Sequence, residues 1–422
     1  MKRIKTHHPD LFALAIALGS LIFFPVPTYA QAQGLDPQSA DWKRANEQVG
    51  KFLRGHADIL KSEARSVTRS TGIDSDKPRG KLLSLQEAKR LALQTRPSLF
   101  SVGGQSLVEQ TAQVSTVMGL LSEVERAWTQ AVGMQIVLRH QIDTNEAAQI
   151  GDELARRMGK IGNWGAGKVL AASMLAKSEA LKLIQVQQET NRARQTLSAL
   201  VLTDAFELPQ QLPDVTGIGA RHDLNTSPSQ LAAERLNRLP EYASKKTTLT
   251  RLEDTAGAQS LQQWSAFSQA RIDSVLKGES PLALSVDRRS VLWTHDIKEA
   301  ISQRQELNML EQETINVIIS AQSEVRSRHA RFMLLKSQYL PLAKQTEEEA
   351  IYHYNGMFIS TWNLLDTFRA RVEVEIATVQ ALIQYWDAHY AYQAYLAGSV
   401  YKPPSGVSLS AAPAAGGAGG GH

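Results

Sequence analysis

The chain has 422 residues, 43% hydrophobic and 21% charged, enough to bury a substantial apolar core in more than one domain. Its net charge is +4 at pH 7. Half of that sits in residues 1–10, where Lys2, Arg3 and Lys5 face Asp10, so the remainder is near neutral and nothing in it asks for nucleic acid. The absence of cysteine excludes disulfides, thiolate metal sites and a lipid-modified cysteine at a processing point.

Residues 1–30 read as a signal peptide: a basic start, an apolar run from Leu11 to Phe24, a Pro25/Pro27 break, and small residues at Thr28 and Ala30, with Ala32 as a second cleavage option. The run is short for a membrane span, which needs about 20 residues. Residues 31–83 are expected to form an N-terminal helical extension and linker. Trp42, Val49, Phe52, Leu53 and Leu60 share a face there, and a polar stretch at 71–80 follows. His56 near Asp58 reads as solvated surface.

At Ser84-Leu-Gln-Glu87 a capping box predicts the start of a helix that Arg96-Pro97 stops. A similar element recurs at Pro228–Pro240, which points to an internal repeat. The repeat has a second marker. Met158-Gly-Lys-Ile-Gly-Asn-Trp-Gly joins helical tracts 136–157 and 169–202, and Tyr354-Asn-Gly-Met-Phe-Ile-Ser-Thr-Trp-Asn joins tracts 311–353 and 364–396. In the last tract Leu365, Phe368, Val372, Ile376, Val379, Ile383, Trp386 and Tyr390 recur about every 3.6 residues, one stripe along a helix too long for a compact domain. The expected architecture is all-α: two repeated, long antiparallel helical hairpins at 84–217 and 228–402, a linker at 218–227, and a disordered Ala/Gly/Pro tail at 403–422.

This order of elements resembles the TolC-like outer-membrane efflux protein family. Members commonly read Y-N-x-G-x-x-S-x-x-D-L-L at the second turn. Tyr354, Asn355, Ser360, Leu364 and Leu365 fall in register with it, while Met357 stands where the family has Gly and Asn363 where it has an acid. Ser84–Pro97 is similar to the family's short first helix, and Leu212-Pro-Asp214 to its inter-repeat linker. The resemblance implies homotrimers whose hairpins form a hollow α-barrel and whose strands close a membrane β-barrel. It also implies hairpin turns that meet a periplasmic adaptor (membrane fusion) protein linked to an inner-membrane pump. It places the chain in the periplasm or outer membrane of a Gram-negative bacterium, exporting metal ions or small toxic compounds.

The membrane barrel is where the sequence departs. Pro97 to Trp164 spans 67 positions and Pro240 to Trp362 spans 122, so the first repeat is shorter by 55. Residues 98–122 hold no pair of alternating strands with aromatic ends. Leu282–Trp293 alone suggests strands, and Asp287-Arg-Arg289 interrupts it. Few or no membrane strands are expected, which leaves open a free periplasmic helical protein that binds metal or a partner and conducts nothing.

The residues show no phosphate loop and no hydrolase or metalloprotease motif, so neither an enzyme nor a cofactor is expected. Docking candidates are Gly159, Gly162, Asn163 and Trp164 in the first turn, and Asn355, Gly356, Met357, Ser360 and Trp362 in the second. The alternative for them is conformational, with Gly and Asn permitting the reversal and both Trp plugging the hairpin core. His353 and His389, with Met333 and Met357, are weak candidates for copper or silver. Surface histidines and core methionines are the plainer account. The charged faces between Glu299 and Arg331 read as solvated more readily than as a duct lining.

Overall fold

The computed structural model describes residues 81–100, 106–215, 222–278 and 295–404. The chain divides into two units, 1–75 and 76–422, and everything described belongs to the second. The leader, the extension helix, the Leu282–Trp293 segment and residues 405–422 of the tail lie outside the described residues.

The fold is all-α. A short helix α1 (Leu85–Gln94) begins at Ser84, whose hydroxyl accepts from the Glu87 N–H at 3.2 Å. One 3₁₀ turn later, α2 (Leu107–Lys160) starts on a complete capping box, with Ser106 accepting from Glu109 N–H and Glu109 accepting from Ser106 N–H. It reverses into α3 (Ala166–Val201). After a short helix α4 (His222–Asn225), the second repeat opens with α5 (Pro228–Asn237), capped by Ser227, and then α6 (Pro240–Ala256) and α7 (Ala258–Leu276). The second hairpin goes out through α8 (His295–Leu334) and α9 (Leu340–Asn355) and returns along α10 (Thr361–Leu396). A π turn at Leu335–Tyr339 joins α8 to α9. Pro341 supplies no N–H and crowds the preceding turn, and a widened turn just before it absorbs that defect without breaking the rod.

Each short helix sits on its own hairpin. Ala88 and Ala92 of α1 join Val124, Trp128, Val132, Leu197 and Val201 in one core. Leu231 and Ala232 of α5 join Ile318, Val325, Tyr385, Trp386 and Tyr392 in the other. The repeat extends to polar detail. Arg96, just past α1, donates to the Leu200 carbonyl at the end of α3, at 2.8 Å. Arg235 of α5 donates to the Tyr395 and Ser399 carbonyls at the end of α10, at 2.7 and 2.9 Å, with its guanidinium 4.0 Å from the Tyr395 ring. In both repeats an arginine donates to carbonyls at or just past the C-terminus of the hairpin's return helix, where charge-assisted hydrogen bonds are strong.

The hairpins pack on each other through α2 and α10. The contact is close because Gly133 has no side chain: a Cβ there would lie 2.3 Å from Ile383 Cδ1. Polar contacts also tie the two hairpins together. Arg126 pairs with Asp387, Arg369 lies 3.6 Å from buried Glu179 of α3, and His140 lies 3.4 Å from Glu375. Two residues of strand, β1 (Lys81–Leu82), run parallel to β2 (Phe206–Glu207), and Trp128 donates to the Leu83 carbonyl at 2.9 Å. Residues 81–83 are thus held against the first hairpin.

Candidate functional site

Both hairpin turns close with the same hydrogen bonds. In the first, Gly162 N–H reaches the Gly159 carbonyl and Asn163 N–H the Met158 carbonyl. In the second, Met357 N–H reaches the Tyr354 carbonyl and Phe358 N–H the His353 carbonyl. Each is a Schellman motif, which requires a left-handed residue just past the helix. Gly162 takes it at φ 80°, and Met357 takes it at φ 61°. The position where the family pattern carries Gly is thus the left-handed one. Here a methionine occupies it, at a cost of about 1–2 kcal/mol. Gly356 itself has φ −78°, an ordinary helical value, so it is not the residue that needs glycine's freedom.

This geometry corrects one correspondence. Gly162 matches Met357, and the caps Gly165 and Ser360 each follow three residues later. Trp164 therefore precedes its helix, while Trp362 is the second residue of α10; they are not equivalent, although the sequence pairs them as markers. They nevertheless meet, with ring centroids 4.8 Å apart and planes inclined at 54°.

The two tips are consequently in contact. Below the tryptophan pair a cleft of about 310 Å³ runs between the hairpins. Ala147, Ala148 and Gly151 of α2 and Ala171 and Ala172 of α3 line it, with Asp152, Lys168, Asp366 and Arg369 as its polar groups. Gly151 lies against the Trp362 ring, where a Cβ would sit 3.4 Å from it, at van der Waals contact. Asp152 accepts from Ser173 at 2.5 Å and pairs with Arg156, which pins α2 to α3 below the turn. Both tryptophans are half-buried. Beyond them several apolar side chains stand exposed among polar ones: Met357 is 92% exposed, Phe358 80%, Tyr352 71% and Ile161 69%.

Of the candidates named from sequence, Gly162, Asn163, Asn355, Gly356, Met357 and Ser360 lie on the exposed surface of the tips. Gly159 lies inside the reversal, where a Cβ would come 2.8 Å from Val169. Ser360 caps α10, its hydroxyl accepting from Asn363 N–H at 3.3 Å. Sequence reasoning missed Phe358, Ile161 and Tyr352. The signal for Phe358 was the run Met357-Phe-Ile between Gly356 and Ser360, three apolar residues in a segment too short to bury them.

The histidines do not converge. His353 lies exposed near the tip against Phe358, ring centroids 6.1 Å apart. His389 is buried about 40 Å away along α10, 5.8 Å from the Tyr385 ring and 5.5 Å from that of Trp386. Among the described residues no group of three or more His, Asp or Glu could hold a metal ion. Met357 is not a core residue.

No protein-family model matches the chain, and no curated protein does. Among solved structures it is similar to CusC, studied for conformational changes accompanying folding and transmembrane channel formation. Identity there is 16% over 86% of this chain and 97% of that one, with a TM-score of 0.49. It is similar to the outer-membrane channel OprN at 18% identity, covering 74% of this chain and 72% of that one, with a TM-score of 0.43. It is also similar to the open MtrE outer membrane channel of Neisseria gonorrhoeae at 12% identity, covering 76% and 73%, with a TM-score of 0.44. These neighbours are channels of the family whose motifs the sequence resembles.

Proposed function

We propose that the chain is the helical duct component of a tripartite efflux assembly. It acts as a homotrimer between periplasm and outer membrane, exports metal ions or small toxic compounds, and performs no chemistry of its own. Its joined hairpin tips dock a periplasmic adaptor that couples it to an inner-membrane pump. The observation that carries this reading is the tip itself: two turns from distant parts of the chain brought together by the Trp164–Trp362 contact, under an exposed apolar cap of Ile161, Met357 and Phe358. Exposed apolar side chains of this size at the ends of two long rods are the kind of anchor that a helical partner buries. Assembly of copies is supported along the shaft, where Leu170, Met174, Leu181 and Ile184 of α3 share one face and are 60–75% exposed.

A photo-crosslinking residue at Phe358 tests the docking. The unaltered chain should crosslink, in its own cell envelope, to an exported protein with a helical hairpin. Trp362→Ala with Gly356→Ala should abolish that product while leaving the helical circular dichroism unchanged. An undiminished product in the double variant would overturn the reading.

A second reading, a free periplasmic helical protein that conducts nothing, is favoured by one observation. Between Phe100 and Ser106, where the first repeat would have to send a strand pair into the membrane, there are five residues, whereas one membrane strand takes about 9–11.

A further inference from the structure

We infer that the second repeat carries a ligand site between the C-terminal end of α5 and the last turn of α10, and that it takes a carboxylate monoanion on a short apolar body. Leu231, Glu234, Arg235 and Arg238 stand at i, i+3, i+4 and i+7 on one face of α5, and Leu396 and Ala397 close the opposite side. Between them lies a cavity of about 260 Å³.

The fold itself does not demand a charge there. The caps Ser84 and Ser227 are 143 residues apart, as are Pro97 and Pro240, so the short helices of the two repeats align without a gap. In that alignment Arg235 matches Ala92 and Arg238 matches Thr95. Ala92 is fully buried and joins the apolar core of the first hairpin, whereas Arg235 brings a guanidinium to the same place and is only 8% exposed. The clasp that Arg96 makes in the first repeat comes from a different position, which Leu239 fills here.

Arg235 is a buried charge held by neutral groups. Its Nε and Nη2 donate to the Tyr395 and Ser399 carbonyls, and the guanidinium lies over the Tyr395 ring. Those carbonyls bring the partial negative charge of a helix end, about half a unit, rather than a full counter-ion. Among the described residues no Asp or Glu pairs with Arg235, and its Nη1 has no hydrogen-bond partner. Nη1 is not sealed inside the protein either. Since the residue lines the cavity, Nη1 is the nitrogen that a ligand there can reach. Burial lowers the Arg235 guanidinium from its usual value, with Tyr395 acting the other way, and that desolvation is what an anion would relieve.

The charges around the cavity select the ligand. Arg235 and Arg238 against Glu234 leave one net positive charge, which a monoanion neutralises; a dianion would overcompensate it and meet Glu234. Leu231, Leu396 and Ala397 offer a hydrocarbon body an apolar wall, which inorganic phosphate has no use for. At about 30 Å³ per water the cavity corresponds to about nine waters, room for a ligand of about six to ten non-hydrogen atoms. A free short-chain carboxylic acid and the C-terminal residue of a peptide both present this chemistry.

The test titrates the full chain in mild detergent at mildly alkaline pH with butanoate and with N-acetylalanine, followed by ligand-observed NMR, and it does not involve tip docking. At least one of the two should bind with a Kd of about 1–10 mM. Tighter binding of N-acetylalanine assigns a peptide end; butanoate binding as tightly or more so assigns a free acid. Arg238→Gln, at an exposed position, should weaken binding about tenfold, and Glu234→Gln should tighten it about threefold. Ala397→Leu should abolish it by filling the cavity, while Arg251→Gln, exposed on α6, should leave it unchanged. Circular dichroism checks that each variant keeps its helices. Binding weaker than about 100 mM, the same loss in Arg251→Gln as in Arg238→Gln, or retention in both Arg238→Gln and Ala397→Leu would each overturn the proposal. So would inorganic phosphate binding more tightly than either carboxylate.

Discussion

Gly133→Val puts a side chain into the tightest contact between the two hairpins. A Cβ at 133 would lie 2.3 Å from Cδ1 and 2.4 Å from Cγ1 of Ile383. At those distances Ile383 or the backbone has to move. Overpacking of this kind costs about 1–3 kcal/mol, and Val recovers about 0.3 kcal/mol of helix propensity over Gly. The net expectation is a loss of about 2 kcal/mol in urea unfolding followed by circular dichroism. Ile383 is itself buried, so Ile383→Ala alone should cost about 2–4 kcal/mol. Together the two changes roughly exchange volume across the α2–α10 seam, so the double variant should be more stable than the sum of the singles by at least about 1 kcal/mol. Strict additivity would refute the idea that this seam holds the hairpins together through direct contact of these two residues.

Three further outcomes follow from the same structure. Met357→Gly removes a left-handed backbone strain and should stabilise the chain by about 0.5–1 kcal/mol after glycine's entropic cost; a loss measured by urea unfolding would mean that the Met357 side chain makes a contact worth more than the strain. Arg235→Met removes the clasp on the Tyr395 and Ser399 carbonyls and should cost about 2–3 kcal/mol, whereas Arg238→Met, one turn away and exposed, should cost under about 0.5 kcal/mol. Burial and the Glu311 hydrogen bond push the Tyr242 hydroxyl up to about 12. Its folded value therefore lies above its unfolded one, so its contribution is full below about pH 10 and fades as pH rises towards about 12. Tyr242→Phe should flatten that alkaline limb in a pH series of unfolding curves.

The hairpins were legible because their signals are local and repeated: the capping box at Ser84, the prolines at 97 and 240, and the 3.6-residue stripe of α10. The register of the turns was not. Trp164 and Trp362 look like matched markers, yet the equivalence is set by backbone angles at Gly162 and Met357, and a methionine gives no hint that it will take a left-handed conformation. Pro341 sits inside the second outgoing rod without ending it, because the π turn before it accommodates the ring. The parallel pairing of Lys81–Leu82 with Phe206–Glu207 joins residues more than a hundred positions apart, across the whole first hairpin, so no local signal announces it. The excess length of the second repeat was visible as a number. That most of it forms α6 and α7 was not, since their short apolar runs carry no clear period when read against an expectation of strands.

The central claim is that this chain works as an assembled duct rather than as a free helical protein. Its most direct test is the mass of the chain starting at residue 31, measured by light scattering in mild detergent and in buffer alone. A detergent-stable trimer, dissociated by placing Asp at Leu170, Met174 and Leu181, is the result the account predicts. A single copy of the chain in both solvents would contradict it and leave the free periplasmic protein as the better description.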